Sequence, residues 1–172
     1  MISDNVVHQE SKIASGFTKW FETNRNYVEL YDDTDTTGGD PFDSAGIIGE
    51  KIYLIEFKTI ISKSMVLYKN SKGSSIEKKI GQVLKQLYQR EDSNIYNSLI
   101  SYYDDRSIPN IVIVAKSISI EAQKLMKSMF EARSIDWKFN YIVFTWNDEK
   151  VNIILENKNT TFSTSLLNHH IN

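Results

Sequence analysis

The chain has no cysteine, which excludes disulfides and thiolate metal ligands and fits a reducing cytosol. It has no apolar run of the ~20 residues that would cross a bilayer, so no membrane partner is expected. It also lacks a Gly-rich phosphate loop and a Gly-x-Ser-x-Gly nucleophile elbow. Charge of either sign is not in excess: 20 basic and 22 acidic residues leave a net charge of −2. Nothing therefore draws the whole molecule toward nucleic acid, and such binding must rest on local basic patches. Asp4, His8, Glu10 and Lys12 make the first residues unlike a secretion signal, and a cytoplasmic protein is expected. Histidine is scarce too. His8 stands alone, and His169-His170 has no further ligands nearby, so neither is a good metal site.

What remains is an ordinary globular composition, 41% hydrophobic and 24% charged over 172 residues, long enough for one domain with a full core. We expect that domain over residues 1–157. Residues 158–172, rich in Asn, Thr and Ser, are expected to form a flexible tail.

Periodicity predicts a helix over residues 3–23 with Ser3 as N-cap and Val6, Ile13, Ala14, Phe17, Trp20 and Phe21 on one stripe. Tyr27–Tyr31 reads as a strand, and residues 32–40 as a polar loop whose spacing does not match a calcium-binding EF-hand. Residues 43–60 read as a hairpin. Ser74 or Ser75 caps a helix running to about Arg90, with Ile76, Ile80, Val83, Leu84, Leu87 and Tyr88 inward and Lys78, Gln82, Lys85, Gln86 and Gln89 outward. A further helical piece (93–103), an apolar strand (111–115), an amphipathic helix to Arg133 and a hairpin about Asn147-Asp148 follow. Trp137, Trp146 and the tyrosines read as core or rim aromatics. This order predicts an α/β fold with a mixed central sheet flanked by helices.

The hairpin carries the chemistry. Gly49-Glu50 suits a two-residue turn with glycine first, and that turn places Asp43 opposite Glu56, Cβ atoms roughly 5 Å apart. Like charges so placed destabilise a sheet. A divalent cation between them reverses the sign, because hard cations take carboxylate oxygens. Lys58, two residues on, projects from the same face roughly 6–7 Å away. The strand from Ile52 to Ile60 is apolar on both faces apart from Glu56, Lys58 and Thr59, which predicts burial on both sides. Asp40 is the rival of Asp43, but register puts it on the other face. Glu10 falls within the apolar stripe of the first helix, where a carboxylate needs a partner. Glu22 falls on the wet face.

Asp43, Glu56-Phe57-Lys58 and Glu10, in this order of elements, resemble the PD-(D/E)xK nuclease superfamily with its restriction-endonuclease-like fold. Gly81-Gln82-Val-Leu-Lys-Gln86-Leu-Tyr88 resembles the family's Gln-bearing helix, with Gln82 or Gln86 as its glutamine. The family's Pro-Asp is Phe42-Asp43 here, with the proline one residue earlier at Pro41. The resemblance implies an αβββαβ core and a metal-dependent nuclease, most simply a DNA endonuclease of a restriction, defence or repair system. Asp43, Glu56, Glu10 and the backbone carbonyl of Phe57 would hold Mg²⁺ or Mn²⁺. Lys58 would position the attacking water, and Gln82 would join the catalytic set. Lys63, Lys69, Lys72, Lys78 and Lys85 are candidates for backbone phosphate contacts. Many relatives act as homodimers, although the sequence shows no clear interface. The alternatives are a catalytically inactive nucleic-acid-binding or scaffold module with the same fold, and an unrelated α/β protein in which Glu10, Asp43 and Glu56 never meet.

Overall fold

A computed structural model describes residues 4–33, 40–70, 74–148 and 150–157. The Ser3 cap, Lys72, the 34–39 part of the acidic loop, and the tail with His169-His170 lie outside them. The elements are α1 (Asp4–Arg25), β1 (Val28–Asp32), β2 (Ser44–Ile48), β3 (Lys51–Ile61), α2 (Ile76–Tyr88), α3 (Asn94–Leu99), β4 (Asn110–Ile118), α4 (Ile120–Asp136), β5 (Asn140–Asn147) and β6 (Lys150–Glu156). No described helix is long and apolar enough to cross a membrane.

The strands form one six-stranded sheet in chain order. β1–β2, β2–β3 and β5–β6 pair antiparallel, while β3–β4 and β4–β5 pair parallel across the helical connections. The fold is thus α/β with a mixed sheet flanked by helices, as expected.

Local chemistry explains where the elements begin and end. Ser75 caps α2, its hydroxyl accepting the Lys78 N–H at 3.1 Å, and Ser93 and Ser119 do the same for α3 and α4. α1 outlasts its predicted end by one turn fraction and stops where Asn26 takes φ +59. α2 stops short of Arg90, which takes φ +51, and α3 ends at Leu99 rather than Tyr103. Asparagine and other non-glycine residues enter the left-handed region singly, and a helix cannot continue through it. At the hairpin, Gly49 takes φ +62 and Glu50 does not enter that region, as a glycine-first turn requires. Gly46 meets a different need. A Cβ there would stand 2.1 Å from the Val28 carbonyl and 2.7 Å from the Tyr27 ring, so only glycine lets β1 cross β2 this closely.

Side chains alternate across β3, and two cores result. Tyr53, Ile55 and Phe57 pack with Val112, Val114, Ile142 and Phe144 under Ile13, Phe17 and Phe21 of α1. Ile52 and Leu54 pack with Ile111, Ile113 and Ala115 under α2, α3 and α4. The centre of the sheet is therefore buried on both faces, as the continuous apolar runs in β3 and β4 require. Ile60 departs from the expectation: near the end of β3 it is 59% exposed, while its neighbour Ile61 is buried in the second core.

Candidate active site

β3 is eleven residues long and β2 only five. The β2–β3 ladder runs from Ile48↔Lys51 to Ser44↔Ile55 and stops. β3 continues to Ile61 paired with β4 alone. Glu56 and Lys58 are thus the first alternate residues past the end of β2, at an opening in the sheet where groups from both helical layers can meet.

Asp43 is fixed at the rim of this opening. Its N–H donates to the Ile55 carbonyl at 3.1 Å, its carbonyl accepts from Asp33 N–H at 2.9 Å, and its carboxylate accepts the Phe57 N–H at 2.9 Å. The last bond uses a β3 donor that no β2 residue is left to satisfy. It turns the Asp43 carboxylate to within hydrogen-bonding reach of Glu56. The register that the hairpin sequence predicts holds through Ser44↔Ile55; Asp43 lies one residue beyond the ladder, unpaired with Glu56, and lines the same cavity as Glu56.

Glu56 is 1% exposed, and its Oε2 lies 2.5 Å from the Lys79 ammonium on α2. Its carboxyl is held well above the ordinary carboxylate range. Burial is the main cause, reinforced by the hydrogen bond and the negative charge of Asp43, while Lys79 and Lys58 pull the other way. Glu10 comes to the same place from α1. Burial raises its carboxyl too, Lys58 opposes this, and Asp43 adds to it. Lys79 loses charge stabilisation through burial, but the attraction of Glu56 and Asp43 outweighs that and raises it. Two anions in contact, one of them buried, need either a shared proton or a cation between them.

These groups open onto a cavity of about 810 Å³ between α1 and the end of the sheet. Its far wall holds Glu22, Glu29, Asp32 and Asp33. Ser44 Oγ donates to Glu29 at 2.6 Å and is itself 2.9 Å from the Tyr27 hydroxyl. Burial raises the Glu29 carboxyl, the Ser44 bond lowers it, and Asp32 and Glu22 raise it. Seven carboxylates and three lysines line the cavity, so its field attracts cations.

No family model, curated protein or solved structure matches the chain.

The placement of the remaining candidates is uneven. Glu10, Asp43, Glu56, Phe57 and Lys58 all line the cavity. Gln82 does not: it is exposed on α2. Gln86 is half-buried with its Oε1 unpartnered, and it too stands outside the cavity lining. Asp40 faces away, accepting hydrogen bonds from the Tyr31 hydroxyl and from Asn94. Glu22, read as a wet-face residue, is exposed yet forms part of the cavity mouth. Lys63 and Lys69 are exposed, Lys85 lies 3.9 Å from Glu91, and Lys78 stands over the Tyr68 ring.

Lys79 is the side chain that sequence reasoning misses. Its one signal is position: on a helical wheel it sits about 40° from Val83, at the flank of the buried stripe. A lysine there either snorkels to water or finds a buried anion. Which of these occurs depends on how α2 lies on the sheet. The far acidic wall was equally hidden, since Glu29 and Ser44 meet only through the β1–β2 pairing.

The donor set fits a hard divalent cation. Asp43 and Glu56 supply carboxylate oxygens at one point of a water-accessible cavity, and Mg²⁺ takes one or two carboxylates and keeps several waters. Among the described residues no three His, Cys, Asp or Glu side chains form a ready metal cage, so the side-chain share of such a site would be that pair.

Proposed function

We propose that this chain is a metal-dependent phosphodiesterase of the PD-(D/E)xK type with a restriction-endonuclease-like core, acting as a DNA endonuclease in restriction, defence or repair. The order helix, three strands, helices, strand is that expected of such a core. One observation carries the reading: Asp43 and Glu56 converge at the open end of β3 with Lys58 beside them.

Asp43 and Glu56 would hold Mg²⁺ or Mn²⁺, with the Phe57 carbonyl as a further donor and Glu10 contributing through water. When bound, such an ion polarises a phosphate and makes a bound water more acidic. Asp43 is preorganised for this by its three hydrogen bonds. The Glu56 carboxylate is kept dry, which strengthens its attraction for a cation. Lys58, half-buried and cavity-facing, orients the attacking water and offsets charge on the phosphoryl oxygens. Glu10 lies across the cavity as a second anion that can hold a water or accept a proton. A lining this acidic repels phosphate on its own, so nucleic acid would bind productively only once cations are in place. The reading carries a cytoplasmic location and, for cutting both strands, a homodimer.

A second reading has an observation of its own. Lys79 already neutralises Glu56, as it would in an inactive nucleic-acid-binding or scaffold module that keeps the fold. Calorimetric titration with Mn²⁺ separates the two: the nuclease binds it and Asp43→Ala does not, whereas equal binding, or none in either, favours the scaffold. Incubation with linear, circular, single-stranded and branched nucleic acids, with and without Mg²⁺, then tests cleavage directly.

A further inference from the structure

The Lys79–Glu56 pair differs from an ordinary buried ion pair in what surrounds it. A buried pair is stable when both partners are locked and fully hydrogen-bonded. Here only the anion is locked: Glu56 is 1% exposed, while Lys79 is 21% exposed and lines the cavity. The lysine stem enters from α2, and its part-exposed head already borders the cavity. Another carboxylate, Glu10, lines the same cavity.

The charges explain why it would move. Three carboxylates, Glu10, Asp43 and Glu56, face two ammonium groups, Lys58 and Lys79. Without another cation, the buried Glu56 has Lys79 as its direct counter-charge. A dication on the same carboxylate would meet that ammonium at very short range, at an oxygen 2.5 Å from Nζ, and like charges so close in a dry site repel strongly.

We propose that Lys79 is a built-in counter-cation that occupies Glu56 in the metal-free protein and is displaced from it when a divalent cation binds. This rests on the reading of Asp43 and Glu56 as a metal site and adds to it a competition within the chain. Lys79 thereby sets the affinity of the site: the folded protein needs no metal to keep its acidic cluster intact, and the metal must displace a tethered rival. Once displaced, the ammonium projects into the cavity, where an anionic substrate would meet it.

The test compares Mn²⁺ binding by calorimetry in the full chain and in Lys79→Met and Lys79→Gln, with thermal melts in parallel. Removing one positive charge beside the site is expected to tighten Mn²⁺ binding by about tenfold or more. The metal-free variants should melt lower than the wild type, and Mn²⁺ should raise their melting temperature by more. A second measurement needs no variant. Acetylation of Lys79 in the wild type, followed by peptide mass spectrometry, should accelerate when Mn²⁺ is added. Variant affinities equal to or weaker than wild type overturn the displacement, as does Lys79 acetylation that Mn²⁺ leaves unchanged. If wild type and variants all fail to bind Mn²⁺, the metal reading and the displacement fall together. If wild type binds and the variants bind no better, the displacement alone falls.

Discussion

The carboxylate of Asp43 accepts the amide N–H of Phe57 at 2.9 Å, so the residue beside Glu56 fixes the anion that faces Glu56. This bond holds a repulsive arrangement in place. Asp43→Asn keeps an acceptor for the Phe57 N–H and removes the like charge. Its stability should therefore equal the wild type or exceed it by up to about 1 kcal/mol. Mn²⁺ affinity should nevertheless fall at least tenfold, roughly the lower end of what losing even an indirect metal partner costs. Chemical denaturation alongside calorimetry checks both. A variant that loses stability and keeps its affinity would show that Asp43 is only a structural acceptor.

Lys58 lines the cavity without an ion-pair partner as close as that of Glu56. Its removal should leave the fold alone, with stability changed by no more than about 0.5 kcal/mol. Cleavage should slow by about 10²–10³-fold, the scale of losing one transition-state donor. A melting curve and a Mg²⁺-dependent nuclease assay on Lys58→Ala read the two effects separately. Full activity in that variant would remove Lys58 from the mechanism.

Glu29 makes stability depend on pH. Its carboxyl is raised from the usual 4.5, by burial and by Asp32 and Glu22. The folded chain then binds this proton more tightly than the unfolded chain. Folding is consequently weakened as pH rises from the ordinary carboxylate range through the raised folded value. Glu29→Gln keeps an acceptor for the Ser44 hydroxyl and removes the titration. It should be more stable than wild type at pH 7 by under about 1 kcal/mol, because water screens a half-exposed group. The advantage should vanish near pH 4. Melts of both proteins from pH 4 to 8 decide this, and parallel profiles would contradict it.

Two glycines should respond oppositely to alanine. At Gly46 the new Cβ would meet backbone at 2.1 Å, which cannot relax without parting β1 from β2. Gly46→Ala should cost about 3 kcal/mol, the upper part of the overpacking range, and should also weaken metal binding by shifting Asp43. At Gly81 the new methyl would touch Trp137 at 3.5 Å, an ordinary contact. Gly81→Ala in the middle of α2 should stabilise by about 0.5–1 kcal/mol through helix propensity. Urea midpoints for the pair test both signs.

Much of this architecture follows from neighbours along the chain. The Gly49 turn and the two-residue period of strands fix which residue faces which across β2 and β3, so the approach of Asp43 to Glu56 is readable from fourteen residues. Serine caps at 75 and 119 and the stripes on α2 and α4 are equally local. Element ends slipped where a left-handed residue intervened, as at Asn26 and Arg90.

The sequence by itself determined the hairpin, its register, the helices and the burial of β3, because turn geometry and side-chain period act over short separations. Tertiary structure alone decided that Lys79 reaches Glu56, that Glu10 arrives from the opposite layer, and that Glu29 joins the far wall. Each of these depends on how a helix or strand is rotated and seated against the sheet. That rotation is set by the sum of many apolar contacts in two cores, and no single residue announces it.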